Sequence, residues 1–204
     1  MNKASPAAAE SLWIASMPVV FVLIWSTGFI VARFGMPHAP PFGFLAWRYG
    51  LSVMGLLLWA VAAKVAWPSR DQWRHLCVTG VLIHAGYLGG VWAAVKGGLG
   101  AGLSALVVGL QPVLTALWLA SRGGQVQPRQ WLGLLLGLVG LALVIADRMG
   151  QGAVTVENAA WITLALLSIT AGTLYQKRWV KPCDVRSANA LQLSAALVVT
   201  LPLV

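Results

Sequence analysis

Charged residues are scarce in this sequence. Only 9% of the 204 residues are charged, and 59% are hydrophobic, whereas soluble globular domains average about 25% charged residues. This shortage excludes an ordinary soluble domain. The long apolar runs that accompany it are typical of a chain that crosses a lipid bilayer several times, so the bilayer is the first expected partner.

Acidic residues are the scarcest charges, because the chain has 5 Asp and Glu against 14 Lys and Arg. All of the acids lie at the ends of the apolar runs or between them. Their absence from the runs excludes the simplest proton-coupling device, a carboxylate within the membrane. The net charge of +9 resides in short segments between the runs. These segments form no basic domain, which excludes a nucleic-acid partner.

Cysteine and the signatures of catalytic sites are also lacking. Cys77 and Cys183 are the only cysteines, and their separation matches no zinc, CxxC or haem pattern. The HExxH, GxSxG and Walker motifs are absent, as are clustered carboxylates. The sequence therefore predicts no metal, no cofactor and no catalytic residue, and an enzyme is not expected.

Seven long apolar segments predict an all-α, polytopic transmembrane helix bundle. At 1.5 Å per residue, each is long enough to cross most or all of a hydrocarbon core of about 30 Å. The first is longer than the apolar region of a signal peptide, about 7–15 residues, and no A-x-A-like site follows it, so we expect an uncleaved helix. The predicted spans are 12–32, 42–63, 76–95, 98–120, 131–146, 159–176 and 188–204.

The Lys and Arg residues between the spans predict the orientation. With the N-terminal tail, residues 1–11, in the cytoplasm, ten of them fall on the inner side and three on the outer side. Such a bias in short loops is the positive-inside signal. We therefore expect a multi-pass protein of the inner membrane with a cytoplasmic N-terminus and an external loop at 147–158. The three outer residues are Arg33, Lys96 and Arg148.

Glycines recur at a spacing of four along three of the spans. Glycines at positions i and i+4 share one helix face and let two helices approach closely, which lipid alone does not drive. We expect these glycines to pack helices within the chain, with a dimer seam as the alternative. The motifs are Gly86-x-x-x-Gly90, Gly98-x-x-x-Gly102 and Gly133-x-x-x-Gly137, and Gly28 and Gly172 are further candidates.

The chain also repeats itself weakly. When the sequence is offset by 144 residues, Gly28 meets Gly172 and Arg48 meets Gln192. The first span then maps onto the sixth, and the second onto the seventh. Because this offset covers five spans, an odd number, we expect the second copy to be inverted in the membrane. Inverted repeats are the architecture of many secondary transporters.

Residues 25–50, WSTGFIVARFGMPHAPPFGFLAWRYG, combine a cluster of small residues, a proline-containing loop and an arginine that follows an aromatic residue. This stretch resembles the first two helices of EamA-type members of the drug/metabolite transporter superfamily. Residues 101–119, 133–140 and 170–178 resemble helices four, five and six of the same family. The resemblance extends over nearly the whole chain.

The resemblance implies two inverted five-helix repeats, because members of this family usually have ten helices. Residues 12–146 are then expected to form the first repeat and 159–204 the start of the second. The sequence stops within or just after the seventh span. We therefore expect the second repeat to be incomplete, either because the chain is a fragment or because it is a truncated natural form.

Arg48 is the only charged residue inside a predicted span, which makes it the leading candidate for a substrate-binding residue. Guanidinium groups pair with carboxylate or phosphate, so an anionic or zwitterionic metabolite is the expected ligand. The alternative is that Arg48 snorkels to the outer interface, about 9 Å away at helical rise. The resemblance favours the site. Further candidates are Ser26, Trp25, Trp47, His84, Tyr87, Gln111 and Gln192.

Two of these candidates carry specific expectations. Gln111 precedes Pro112 in the middle of a span, where the proline removes a backbone hydrogen bond and kinks the helix, so that carbonyl groups line a cavity. His84 belongs to a residue type that titrates near neutrality and is a candidate for a proton relay in place of the missing carboxylate. The alternative for His84 is a hydrogen bond to a neighbouring helix.

The sequence and the resemblance together predict a secondary transporter, more specifically an exporter. Amino-acid-like or other zwitterionic or anionic solutes would cross the inner membrane by alternating access, without ATP. The alternative is a truncated, non-transporting subunit or scaffold. Such a subunit needs a partner, either a second copy of the chain or a complementing chain.

Overall fold

A computed structural model describes residues 6–149 and 154–204, and within these two ranges it is helical, with no β-strand. Parts of the predicted tail and external loop, residues 1–5 and 150–153, lie outside the described residues, as does the side chain of Arg148. In chain order the elements are α1 (Pro6–Gly35), α2 (Pro41–Ala62), α3 (Arg70–Gly80), a π-helical segment (Val81–Leu88), α4 (Gly89–Lys96), α5 (Ala101–Val108), α6 (Gln111–Ser121), α7 (Pro128–Met149), α8 (Val156–Trp179), α9 (Val185–Thr200) and a 3₁₀ turn (Leu201–Leu203).

Six helical stretches of the described chain are long and apolar enough to cross a membrane. They match the first six predicted spans and confirm a polytopic helical bundle. The third stretch, Arg70–Lys96, is longer than predicted because the polar turns of α3 continue into the apolar run without a break. The seventh predicted span, 188–204, coincides with α9, which has 16 residues and is not among the six.

The third stretch and α8 form the centre of the bundle. Of their most apolar windows, 50% and 44% of the residues are buried, against 6% for both α1 and α7. α8 packs along α3, the π segment and α4, while α9 packs against α2, α3 and the π segment. The central core includes Tyr87, Trp92, Ala165 and Ile169.

Three of the predicted packing glycines lie where helices approach closely. A methyl group added at Gly90 would lie 2.6 Å from the backbone oxygen of Trp161, and one at Gly86 would lie 2.6 Å from Ser168 Oγ. One added at Gly172 would lie 2.6 Å from Ile83. These three glycines therefore join α8 to the π segment and α4.

The other predicted packing glycines have open surroundings, which differs from the expectation. No described atom outside their own turn lies within 4 Å of a methyl group added at Gly28, Gly102, Gly133 or Gly137. Gly98 lies in the turn between α4 and α5 with a φ of 93°. The reason is that the first four of these glycines lie on faces of α1, α5 and α7 that meet no neighbouring helix within the described residues.

The fourth span is broken near its middle. α5 ends at Val108 and α6 begins at Gln111, and the α-helix is interrupted at Gly109 and Leu110 between them. Pro112 is within the first two residues of α6, where a missing N–H costs little. The break therefore lies just before the Gln111–Pro112 pair.

Candidate functional site

A π-helical segment occupies the centre of the third span and carries two of the predicted site residues, His84 and Tyr87. π-helical geometry is rare and occurs frequently at functional sites. Glycines bracket the segment: Gly80 precedes it and Gly89 follows it. At Gly80 the backbone of Gln192 in α9 approaches so closely that a side chain at this position has no room.

Tyr87 joins the π segment to α1. Its hydroxyl is the acceptor of a 3.0 Å hydrogen bond from Trp25 Nε1, and its side chain is buried. A tryptophan or tyrosine within a membrane helix needs such a partner for its polar end. The structure thus brings two predicted residues from different spans into direct contact.

Tyr49 joins the π segment to α2. Its hydroxyl donates a 2.8 Å hydrogen bond to the backbone oxygen of His84, and the two rings meet edge to face with centroids 6.3 Å apart. Tyr49 is only 1% exposed. Tyr49 of α2 therefore provides a hydrogen-bond partner for a backbone carbonyl of the π segment and fixes the position of His84 relative to α2.

His84 has one ring nitrogen without a partner. Nε2 is buried and is the only such side-chain N or O atom in the described part of the chain that forms no hydrogen bond. The buried side chain of Gln192 lies beside the imidazole. A buried polar atom without a partner costs about 1–3 kcal/mol, and such an atom at the centre of a bundle is a candidate ligand for a substrate or water.

Arg48 lies on α2, directly before Tyr49. Its positive charge is near enough to act on His84 and Tyr87, but its side chain is exposed. The described residues provide no hydrogen bond or ion pair to Arg48. Trp47 is 75% exposed, so the structure does not bring it to the cluster as a wall.

Two other predicted residues lie away from the π segment. Gln111 Nε2 donates a 3.0 Å hydrogen bond to Thr173 Oγ1, which connects α6 to α8. Ser26 Oγ donates to the backbone oxygen of Val22 in its own helix and lines a groove between α1 and α5. The candidate site is therefore a smaller set than predicted, and we call it the π-segment cluster: Trp25, Arg48, Tyr49, His84, Tyr87 and Gln192.

Sequence reasoning missed Tyr49 and the π segment. A signal existed for Tyr49, because a tyrosine inside an apolar span needs a hydrogen-bond partner for its hydroxyl, and the chain has only 3 tyrosines. The π-helical geometry had no comparable signal, because residues 81–88, VLIHAGYL, fit an ordinary apolar α-helix.

The chemistry of the π-segment cluster is that of a cation with neutral polar neighbours. Its members offer one guanidinium, an imidazole, two phenols, an amide and an indole N–H, and no carboxylate. The described residues also contain no group of three or more His, Cys, Asp or Glu side chains placed to hold a metal ion. This donor set suits a carboxylate or another small anionic group.

The fold and this cluster together define a multi-pass helical membrane protein with polar residues gathered around its third span, of which Arg48 is exposed. The comparison with known proteins is more specific. The chain belongs to the EamA-like transporter family, whose model matches residues 12–146.

Among curated proteins, the chain is similar to two that are named "Probable amino-acid metabolite efflux pump". The Salmonella typhimurium protein is 23% identical over 187 residues, which cover 91% of this chain and 60% of that protein. The Escherichia coli protein is 21% identical over 187 residues, with the same coverage of 91% and 60%.

A third relative, an uncharacterized transporter of Synechocystis sp., is 26% identical over 171 residues, which cover 74% of this chain and 51% of that protein. The chain thus spans about 60% or less of the length of the curated relatives it matches. No solved structure matches the chain.

Proposed function

We propose that this chain carries the substrate site of a secondary transporter that exports small, amino-acid-like metabolites across the inner membrane by alternating access. The observation that carries the proposal is the buried His84 Nε2, which forms no hydrogen bond within the described residues and belongs to a cluster that contains Arg48 and no carboxylate. The names of the two efflux-pump relatives support the substrate class.

The cluster suggests how a zwitterionic or anionic substrate is held. The Arg48 guanidinium pairs with the substrate carboxylate, since it presents several donors in a planar fork. His84 Nε2 and the Gln192 amide supply the remaining hydrogen bonds. Binding then provides a partner for His84 Nε2, which lacks one in the free protein, and this lowers the free-energy cost of exposing the site when it changes sides.

The experiment is a flux measurement with the protein reconstituted in lipid vesicles and a labelled amino-acid mixture. Arg48→Ala is expected to abolish flux without changing the helix content or insertion. Arg129→Ala, at the start of α7 and outside the cluster, is the matched control and should retain flux. If Arg48→Ala leaves flux unchanged, the proposed substrate site is wrong.

We further propose that the N-terminus is cytoplasmic, which places the connection between α6 and α7 on the cytoplasmic side. A cysteine replacing Gly124 reports this position directly, provided that Cys77 and Cys183 are first replaced by serine. An impermeant thiol reagent added to intact cells should leave it unlabelled and should label it in lysed cells. Labelling in intact cells would reverse the orientation.

A further inference from the structure

Two adjoining cavities form one groove along the peripheral helix α1. The outer cavity, about 750 Å³, lies between the end of α1, the turn before α5, and α7. The deeper cavity, about 610 Å³, lies between α1 and α5 and extends to Trp25. Both are lined by Arg33, Ala101 and Gly102, so they are continuous along α1.

The mouth of this α1–α5 groove is positively charged. Arg33 and Lys96 both line the outer cavity, and no described Asp or Glu side chain lines either cavity. Lys96 Nζ donates a 2.7 Å hydrogen bond to the backbone oxygen of Met36, which holds the ammonium group beside the end of α1. Arg33 is exposed, and the described residues supply it with no hydrogen bond or ion pair.

The interior of the groove is apolar and runs along the helix axis. From Arg33 to Trp25 the distance along α1 is about 12 Å at helical rise, which is most of the depth of one leaflet. Phe29, Ile30 and Ala105 line this part. Small residues on α5 keep the groove open, since a methyl group added at Gly102 meets no described atom within 4 Å. The groove therefore accounts for Gly102, a predicted packing glycine that meets no neighbouring helix of the described chain.

We propose that the α1–α5 groove binds one anionic phospholipid. The headgroup phosphate lies between Arg33 and Lys96, and an acyl chain follows α1 towards Trp25. Paired cations at the edge of a bundle favour an anionic headgroup, and the apolar lining of the groove suits an acyl chain. Trp25, at the inner end of the groove, is shared with the π-segment cluster. Arg33, Lys96 and Gly102, which carry the proposal, lie outside that cluster, and the proposal does not depend on the transported substrate.

The test measures thermal unfolding of the purified full chain in mild detergent as lipid is added. Phosphatidylglycerol is expected to raise the midpoint in a saturable way, and phosphatidylcholine with the same acyl chains is expected to have a much smaller effect. Inorganic phosphate alone should have no effect. Phosphate acting as well as phosphatidylglycerol would overturn the proposal, because it would show an anion site without a lipid chain.

Three variants locate the site. Arg33→Gln, which leaves the Lys96–Met36 bond in place, should weaken apparent phosphatidylglycerol binding about fivefold, the value of about one interfacial cation. Gly102→Leu, which fills the groove, should weaken binding of both lipids. The control Arg74→Gln, on α3 and away from the groove, should bind as the unaltered chain does. Retained binding in Arg33→Gln and Gly102→Leu, or equal loss in Arg74→Gln, would overturn the proposal.

Gly102→Leu also distinguishes lipid from a second copy of the chain. If the groove is a contact between copies, this substitution should change the oligomeric state measured by light scattering without altering the response to phosphatidylglycerol. That result would contradict the proposal. An unchanged oligomeric state with weakened lipid response would support it.

Discussion

α1 and α8 begin the two halves of the predicted repeat, yet they lie in different surroundings. The apolar window of α1 has a mean hydropathy of 2.1 and is 6% buried, whereas that of α8 has a mean hydropathy of 1.2 and is 44% buried. The more hydrophobic helix is therefore the less buried one. In a bilayer, apolar side chains are solvated by lipid, and small or polar residues favour helix contact instead.

The residues on the two helices agree with this explanation. α8 buries Asn158, Ser168 and Thr170, together with Gly172. α1 exposes large apolar side chains, including Phe21 at 60% and Ile24 at 67%. Its equivalent of Gly172, Gly28, meets no neighbouring helix of the described chain. In the described residues, the two helices that begin the predicted repeats thus pack differently.

The largest expected effect is at the contact between α4 and α8. Gly90→Leu should lower the free energy of unfolding by about 3 kcal/mol, because the new side chain would collide with the backbone of Trp161. Gly28→Leu on α1 should change it by less than about 0.5 kcal/mol. Unfolding in mixed micelles measures both. Equal losses would show that α1 is packed as tightly as α8.

A smaller effect is expected at the start of α8. Thr155 and Asn158 form a reciprocal capping box, and the Asn158 side chain also donates to the backbone oxygen of Gly97 at 3.1 Å. Asn158→Ala should therefore cost about 2 kcal/mol, since it removes both the cap and the buried contact. Thr155→Ala removes only the cap and should cost about 1 kcal/mol. The same micelle assay applies, and a larger loss for Thr155→Ala would contradict this assignment.

On α1, a hydrogen bond from Trp25 to Tyr87 joins the helix to the π segment. Trp25→Phe and Tyr87→Phe should each cost about 1 kcal/mol of unfolding free energy, because each breaks the bond between α1 and the π segment. The double variant should cost less than the sum, since the bond is lost only once. Strictly additive losses would mean that this bond does not hold α1 in place.

The smallest effect concerns pH at α9, whose N-cap is charged, unlike the neutral cap of α8. Hydrogen bonds from Arg186 lower the pKa of the half-buried Asp184 carboxyl to about 2. The ionised Asp184 carboxylate therefore contributes to the free energy of unfolding. This contribution is complete above the carboxyl pKa of the unfolded chain, about 3.9, and is lost as the pH falls through about 2. Comparing Asp184→Asn with the unaltered chain by thermal unfolding from pH 5 to pH 2 isolates this contribution. If the unfolding midpoint of Asp184→Asn depends on pH as steeply as that of the unaltered chain, Asp184 is excluded as the source of the pH dependence.

Much of the fold could be predicted because the spans are long, apolar and separated by charged or proline-containing segments. The break at Gly109 and Leu110 also had a visible cause nearby in Pro112. Which helices are central was harder to predict. Hydropathy ranks α1 above α8. A pair of glycines four residues apart occurs both at Gly86 and Gly90, which contact α8 closely, and at Gly133 and Gly137, which meet no neighbouring helix of the described chain.

The candidate site was predictable only in part. Trp25, His84, Tyr87 and Gln192 are polar or amphipathic groups in apolar spans, so they stand out by residue type. Tyr49 is also such a group, but it stands out less because it directly follows the charged Arg48. Which side chain a polar group bonds to depends on how each helix is rotated about its own axis. The hydrogen bond of Gln111 to Thr173 across two helices could not be read from either segment alone.

The central claim is that Arg48 and His84 act on one substrate at the π-segment cluster. A double-mutant cycle on flux in reconstituted vesicles tests it most directly, with Arg48→Lys and His84→Gln as variants that keep polar side chains. The claim predicts that each variant lowers kcat/KM and that the double variant loses less than the product of the two losses, because both act through one bound substrate. Independent, multiplicative losses, or full flux in either single variant, would contradict it.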